Sequence, residues 1–290
     1  MTALRRADTT TTVQPQTETR LLDWFDPIHD PGGVISRTVL RLDQLAAKRG
    51  VRLYPQTDFG ALKTIVEPRR PLGTVMMPYV DTAYTALGAH NGIWVLGIDD
   101  QGEVVSTQAG RYFDFTGTTL AAEMQSFRFF YDDPSRHVTP ECYCKPAPAA
   151  FDVNGTAVHS GTIWIRKDMR GPGEHGIVLS QLLGRITRLI AIAQWWPEYL
   201  FTFTKYESYR RGVVANFGWP HESFDVEWVF PDGRAPTSGM FWMTRDEMRW
   251  GTWWTMALPH GMRRTGVSPS IVWFRMRPDG PWNRRPREHG

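Results

Sequence analysis

Apolar residues recur along this chain at two spacings. Over residues 177–194 the positions Val178, Leu182, Ile186, Ile190 and Ala193, flanked by Leu179, Leu183 and Leu189, repeat at helical spacing. Gln181, Gly184, Arg185 and Arg188 form the polar side, and Pro197 stops the helix. Just before it, 157–167 suits a strand and 170–176 (RGPGEHG) a turn. The pattern predicts further helices over 36–49, stopped by Gly50, and over 58–66, capped by Asp58 and ended before Pro68. It also predicts helices over 81–87, 118–131 and 209–217, the last closed by Gly218. Strands are predicted over 51–54, 92–98, 103–115, 199–204, 237–243 and 270–275. The turn 99–102 makes a hairpin of the second and third. The stretch 224–230 alternates, which places Phe224, Val226, Trp228 and Phe230 on one face of a strand. Thr244 and Glu247 have the spacing of a capping box, so a last helix is expected there. Residues 132–150 hold four prolines and both cysteines and read as irregular.

Composition narrows the class. The chain has 290 residues, 41% hydrophobic and 22% charged, enough for one large core or two smaller ones. No run of apolar residues reaches the ~18 of a membrane span. Residues 1–20 are a Thr/Gln-rich stretch without an apolar signal core, read as a disordered leader of a cytoplasmic protein. A net charge of +3 is too small to suggest nucleic acid, and part of it sits at Arg284, Arg285 and Arg287. Cys142 and Cys144 suit a disulfide poorly, and with only His137 nearby the pair has no second pair to complete a metal site, so both are read as reduced thiols. There are 13 tryptophans, most from Trp195 onward, which suits an aromatic core, a homodimer interface or an aromatic acceptor pocket.

The turn at 170–176 carries the candidate chemistry. The first N–H groups of a helix have no intrahelical partner, and the helix dipole adds positive charge at that end. Glycine lets backbone approach an anion closely. Gly171, Gly173 and Gly176 sit between a strand and a helix, with Arg170 adding charge, which is the make-up of a phosphate cradle. The same glycines match the dinucleotide pattern GxGxxG literally. That motif also needs a parallel strand ending in an acid ~20 residues on, whereas Glu207 stands later. No second βαβ half is readable.

The order of elements is a strand, two helices, a hairpin, a strand leading through RGxG into a long helix, a strand, a helix ending in Gly218 and Trp219, and a closing hairpin. With that loop, it resembles the GNAT N-acyltransferase superfamily over about residues 51–244. Arg170 and Gly173 match the family's loop pattern; His175 stands where a small residue is usual, and Gly176 follows one place late. The resemblance implies an α+β fold: a central mixed, mostly antiparallel twisted sheet flanked by helices. An N-terminal helical extension (21–50) precedes it, the domain runs over 51–250 with an insertion at 116–150, and a Trp-rich C-terminal extension with a basic tail fills 251–290. It implies acyl-coenzyme A as co-substrate, held by the loop at Arg170, Gly171, Gly173, His175 and Gly176. The pantetheine arm would lie in a gap between the strand ending at Ile165 and Lys167 and the strand over 199–204.

The implied reaction is direct transfer of the acyl group to a small amine or amino-acid-like acceptor, which calls for a base, oxyanion donors and an acid for the leaving thiolate. Base candidates are His159 and Glu207. The family's usual acid, a tyrosine, falls at Val214, leaving Tyr209 and Tyr206 as substitutes. Asp114 and Asp225 are candidates for holding a cationic amine. Two other readings compete: a catalytically silent binding or assembly protein of the same fold, and a nucleotide-dependent oxidoreductase.

Overall fold

The computed structural model describes residues 19–69, 76–173, 176–210 and 214–248. In chain order its elements are α1 (Leu21–Trp24), α2 (Val34–Lys48), β1 (Val51–Gln56), α3 (Phe59–Val66), β2 (Gly92–Asp99), β3 (Val104–Phe115), α4 (Leu120–Gln125), β4 (Tyr143–Lys145), β5 (Gly155–Ile165), α5 (Leu179–Trp195), β6 (Tyr199–Lys205), α6 (Tyr206–Arg210), β7 (His221–Val229) and β8 (Thr237–Thr244).

The eight strands form one sheet in the order β1-β2-β3-β5-β6-β8-β7-β4. Every pairing is antiparallel except β5 with β6. This is the mixed, mostly antiparallel sheet flanked by helices that the GNAT resemblance implies. A dinucleotide fold needs a parallel, doubly wound sheet, so the GxGxxG match at 171–176 has no such setting here.

Helices cover both faces. On one, α2 and α5 bury Val39, Leu42, Ala46, Leu183, Ile186 and Ile190 against Val105, Val158 and Leu200. Each such Val, Leu or Ile side chain contributes about 1.5–3 kcal/mol through burial. Gly110 on β3 lets α5 lie close, because a Cβ there would stand 3.2 Å from Thr187 Cγ2. On the other face α3 and α4 cover a core rich in rings: Phe113, Phe129, Phe130, Phe201, Trp228 and Phe230. No helix among the described residues is long and apolar enough to cross a membrane.

Local rules act where the sequence places them. Asp58 accepts from Ala61 N at 3.1 Å and caps α3. Asp30 accepts from Ile35 N and Ser36 N at the start of α2. Thr244 and Glu247 form the expected capping box, with Thr244 N donating to Glu247 Oε2 at 3.0 Å, and residues 245–248 begin a helix. α5 ends at Trp196, which takes the left-handed conformation (φ 48°) just before Pro197.

Several expectations change. Residues 81–87 form turns rather than a helix, because Asp81 spends its groups locally: its carbonyl accepts from Tyr84 N and its carboxylate from Ala83 N and Lys63 Nζ. The helix expected over 118–131 stops at Gln125, since Phe127 adopts φ 61° and turns the chain so that Phe129 and Phe130 enter the core. The region read as irregular contains β4, which pairs Tyr143, Cys144 and Lys145 with Val229, Trp228 and Glu227 at the sheet edge. Cys142 and Cys144 are free thiols, and burial pushes Cys144 up to about 12. Of the helix expected over 209–217, the described residues show α6 as far as Arg210 and a 3-10 turn at Val214–Phe217.

Phe224 does not share a face with Val226 and Trp228. A bulge between Ser223 and Val226, with Asp225 at φ 67°, adds a residue and reverses the alternation. Phe224 therefore packs against Tyr209 and Phe241, while Val226 and Trp228 enter the opposite core. Residues 1–18 and 249–290, including the strand expected at 270–275, lie outside the described residues.

Candidate active site: a diverging strand pair beside an uncapped helix

β5 and β6 are in register only at Ala157 with Tyr199, Val158 with Leu200 and His159 with Phe201. Beyond His159 they diverge. Ala157 to Ser160 are buried, whereas Gly161 to Trp164 are half-buried, and exposure also rises along β6 from Thr202 to Lys205. The cause is on β5: its pairing with β3 shifts by one residue between Thr107 and Ala109, and Thr162 adopts φ 52°. A bulge bends its strand and increases its twist. Here it bends β5 away from β6 while β5 stays paired with β3.

The long helix completes the gap. α5 links the far end of β5 back to Tyr199, beside Ala157, so its N-terminus lies at the divergent end. That N-terminus has no side-chain cap at Val178 and no acid in its first turn. The positive end of its dipole therefore meets no acid from the helix's own first turn. The loop before it takes left-handed turns at Gly171 (φ 76°) and Gly176 (φ 64°), which only glycine adopts without strain. Gly173 N donates to Ile177 O at 3.2 Å, and Gly176 N to Gly173 O at 2.7 Å.

The sequence-derived residues fall as follows. Ile165 is buried at the end of β5, and Lys167 stands just past it in a 3-10 turn, exposed, rather than in the strand. Arg170 Nε donates to Ile165 O at 2.9 Å, which ties loop to strand. Gly171, Gly173 and Gly176 shape the loop; His175 lies outside the described residues. His159 sits at the apex of the gap, 2% exposed. Its ring lies against Gly161, where a Cβ would stand 2.5 Å from His159 Cε1, and faces Phe201 and Phe203 on β6. Its Nε2 is 3.3 Å from Tyr79 Oη. Burial, helped by the Arg111 charge, lowers it from 6.5 to about 3, so the imidazole is neutral.

The other candidates lie on the α5 side of the sheet or at its margins. Tyr209 stacks on Phe241 and donates to Glu222 at 3.4 Å; burial, then the Glu222 charge, raises its pKa. Glu207 and Tyr206 are exposed on α6, and Val214 is buried. Asp114 is exposed on β3 and held by Thr116 N; Asp225 is exposed in the bulge. The structure thus brings His159 to the apex of the gap and keeps Tyr209 and Glu207 on α6, which follows β6 from its divergent end.

Two residues that sequence reasoning passed over also shape the site. Arg49, just past α2, reaches Met169 O and Gly171 O at 3.5 Å, and a Cβ on Gly173 would stand 1.7 Å from its Nη1. The glycine at 173 thus admits a guanidinium from α2; no local signal could pair positions 120 residues apart. Arg111 is buried beside His159, and a cation inside a run of β-formers was the available signal. Two shallow depressions, one lined by Ile28, His29, Asp30 and Trp196 and the other by Glu198, Tyr199, Thr244, Arg245 and Asp246, lie at the closed end of the β5/β6 pair. The uncapped helix, the loop and His159 all lie away from them, so the divergent end is the candidate site.

The fold is thus an α+β sheet of GNAT-like order with one parallel pair that opens beside a glycine loop. No family model matches the chain, and no curated protein matches it. Among solved structures it is similar to a chimera of the spermidine N-acetyltransferase SpeG from Vibrio cholerae with hSSAT, at 9% identity and a TM-score of 0.37, over 68% of this chain and 98% of that one. It is also similar to the aminoglycoside acetyltransferase AAC(6')-Ib in complex with coenzyme A and kanamycin, at 12% identity and a TM-score of 0.34, over 69% and 98%. A third is the coenzyme A-dependent acyl-homoserine lactone synthase BjaI, with SAM and isopentyl-CoA, at 13% identity and a TM-score of 0.29, over 84% and 93%. Likenesses this distant decide nothing about the site.

Proposed function

We propose that this chain is a divergent GNAT-type acyltransferase that binds acyl-coenzyme A in the β5/β6 gap and transfers the acyl group to a small amine. The single observation that carries the reading is the divergence of β5 from β6 after His159, beside the uncapped N-terminus of α5. The residues fit the co-substrate. The α5 amides and the glycine loop suit a pyrophosphate, Arg49 and Arg170 bring positive charge, and the half-buried edge at Gly161 to Trp164 suits an extended pantetheine arm. When bound, the thioester would supply the activated acyl carbonyl; the protein supplies position and a dry, aromatic apex around His159.

The test uses a substitution with two effects of opposite sign. Val178 already has the extended backbone of an N-cap (φ -100°, ψ 111°). Val178→Asp should cap α5 and raise apo stability by about 0.5–2 kcal/mol. The same carboxylate fills the anion site, so stabilisation by acetyl-coenzyme A or longer acyl-coenzyme A in a thermal-shift titration should fall at least about tenfold in apparent affinity. Absence of any shift with every acyl-coenzyme A in the unmodified protein rejects the reading. The buried Val214, where the resemblance places a tyrosine acid, supports a second reading: a protein that binds acyl-coenzyme A without turnover. Release of thiol with an amine panel rejects that alternative.

A further inference from the structure

We propose that Arg111 anchors a carboxylate of the acceptor, so that the amine substrate is an amino acid rather than a simple amine. The proposal rests on the acyltransferase reading and narrows its acceptor. Arg111 lies on β3, its side chain on the ring-rich face of the sheet, and is 7% exposed. A guanidinium carries five N–H donors and no acceptor. Among the described residues this one makes a single hydrogen bond, from Nη1 to Tyr79 O at 2.6 Å, and its buried Nε has no partner. Its guanidinium also lies over the face of Phe113, 4.4 Å from the ring centroid.

Among the described residues no carboxylate pairs with it. Arg20, Arg128, Arg136, Arg166, Arg234 and Arg245, all more exposed, each meet an Asp or Glu within 4 Å. The acid that acts most on Arg111 is Asp132, an exposed residue that accepts from Ala86 N. A buried cation without a counter-charge is expensive, and such groups are ordinarily paired. The missing anion is the feature that points to a ligand.

The position fits an amino acid. Arg111 is the cross-strand partner of His159, the last residue of β5 paired to β6. The backbones of the two residues are therefore one strand spacing, about 4.8 Å, apart, and the Arg111 charge acts on the His159 ring. An α-amino acid carries its amine and carboxylate on one carbon, so neighbouring side chains must meet the two groups together. The amine would then meet the neutral His159 ring at the mouth of the gap, and Phe113, Phe129, Phe201 and Phe203 would flank the substrate side chain. Tyr79, whose carbonyl holds Arg111 and whose hydroxyl faces His159, closes the site on its outer side. The Arg111 charge also disfavours protonation of His159, and a bound carboxylate would offset that repulsion.

The experiment compares matched acceptors in the full chain. Thiol release from acetyl-coenzyme A and longer acyl-coenzyme A is followed with phenylalanine and phenethylamine, tyrosine and tyramine, histidine and histamine, and lysine and cadaverine. At least one amino acid should exceed its decarboxylated partner in kcat/KM by about 10- to 100-fold, the scale of a charge-assisted hydrogen bond. Arg111→Met, similar in length and apolar, should abolish that preference while apo Tm holds or rises, because it removes a buried unpaired charge. Arg111→Lys keeps the charge and should retain part of the preference, with KM for the amino acid raised at least about tenfold. Equal use of amines and amino acids overturns the proposal. So does an Arg111→Met protein whose Tm falls while its preference persists, or, if that variant does not fold, an Arg111→Lys protein with unaltered kinetics. If no acyl-coenzyme A binds, the acyltransferase reading fails separately. Calorimetric titration of the same amino acids into the unmodified and Arg111→Met proteins then decides the anchor, and absence of binding to the unmodified protein overturns it.

Discussion

His159 shows how far burial can move a single side chain. Its pKa in the folded chain is about 3, against 6.5 for the ordinary group. The unfolded chain therefore takes up the proton first as the pH falls. The stability tied to the neutral ring is complete above about pH 6.5 and is lost progressively toward pH 3, at a slope of about 1.4 kcal/mol per pH unit. Asp99 and Glu247, whose pKa values are lowered on folding, lose their contribution only as the pH falls into and below the carboxylate range. Urea melts between about pH 5 and 6.5 should show the His159 slope, and in His159→Gln that component should vanish. An unchanged slope in the variant would mean the ring is not held neutral.

At the scale of elements, the site depends on how α5 is seated. Gly184 is an internal helix residue, and alanine there would ordinarily gain about 1 kcal/mol of propensity. A Cβ at 184, however, would stand 2.5 Å from Phe217 Cδ1, on the turn that follows α6. Arg188 holds the same turn by donating to Phe217 O at 2.8 Å. Gly184→Ala is therefore expected to destabilise by about 1–3 kcal/mol, the cost of overpacking. Adding Phe217→Leu should recover most of the loss. A Gly184→Ala protein more stable than the parent, by denaturant titration, would show that the turn shifts freely on α5. The two bulges are equally decisive elements: the one at Thr162 opens the gap, and the one at Asp225 sends Phe224 to the face of Tyr209 and Phe241.

For the whole molecule, the gap divides the sheet into β1-β2-β3-β5 and β6-β8-β7-β4, joined by three residue pairs and crossed by α5. A ligand in the gap touches both halves at their divergent ends. Hydrogen exchange should therefore slow on acyl-coenzyme A addition at Gly161 to Ile165, at the first turn of α5 and at Thr202 to Lys205. β1 and β2 should stay unchanged. Protection spread evenly over the sheet, or confined to the closed end near Glu198 and Arg245, would place the ligand elsewhere.

The sequence by itself determined the elements whose signals are local. Periodicity marked α5, the Asp99 turn marked the β2–β3 hairpin, Asp58 and Thr244 marked helix starts, and glycines between strand and helix marked the loop. Their order carried the resemblance to the GNAT superfamily, and that resemblance implied the mixed, mostly antiparallel sheet. The tertiary structure alone decided the rest. A one-residue bulge shifts a strand's faces without changing composition, so neither the opening at Thr162 nor the side taken by Phe224 could be read along the chain. The edge strand β4 exists because Trp228 and its neighbours offer free backbone groups, which a proline-rich segment does not announce. Arg49 meets the loop, and Arg111 meets His159, through pairings between distant positions. The site was legible where it depends on the local backbone and hidden where it depends on which side chains the sheet brings side by side.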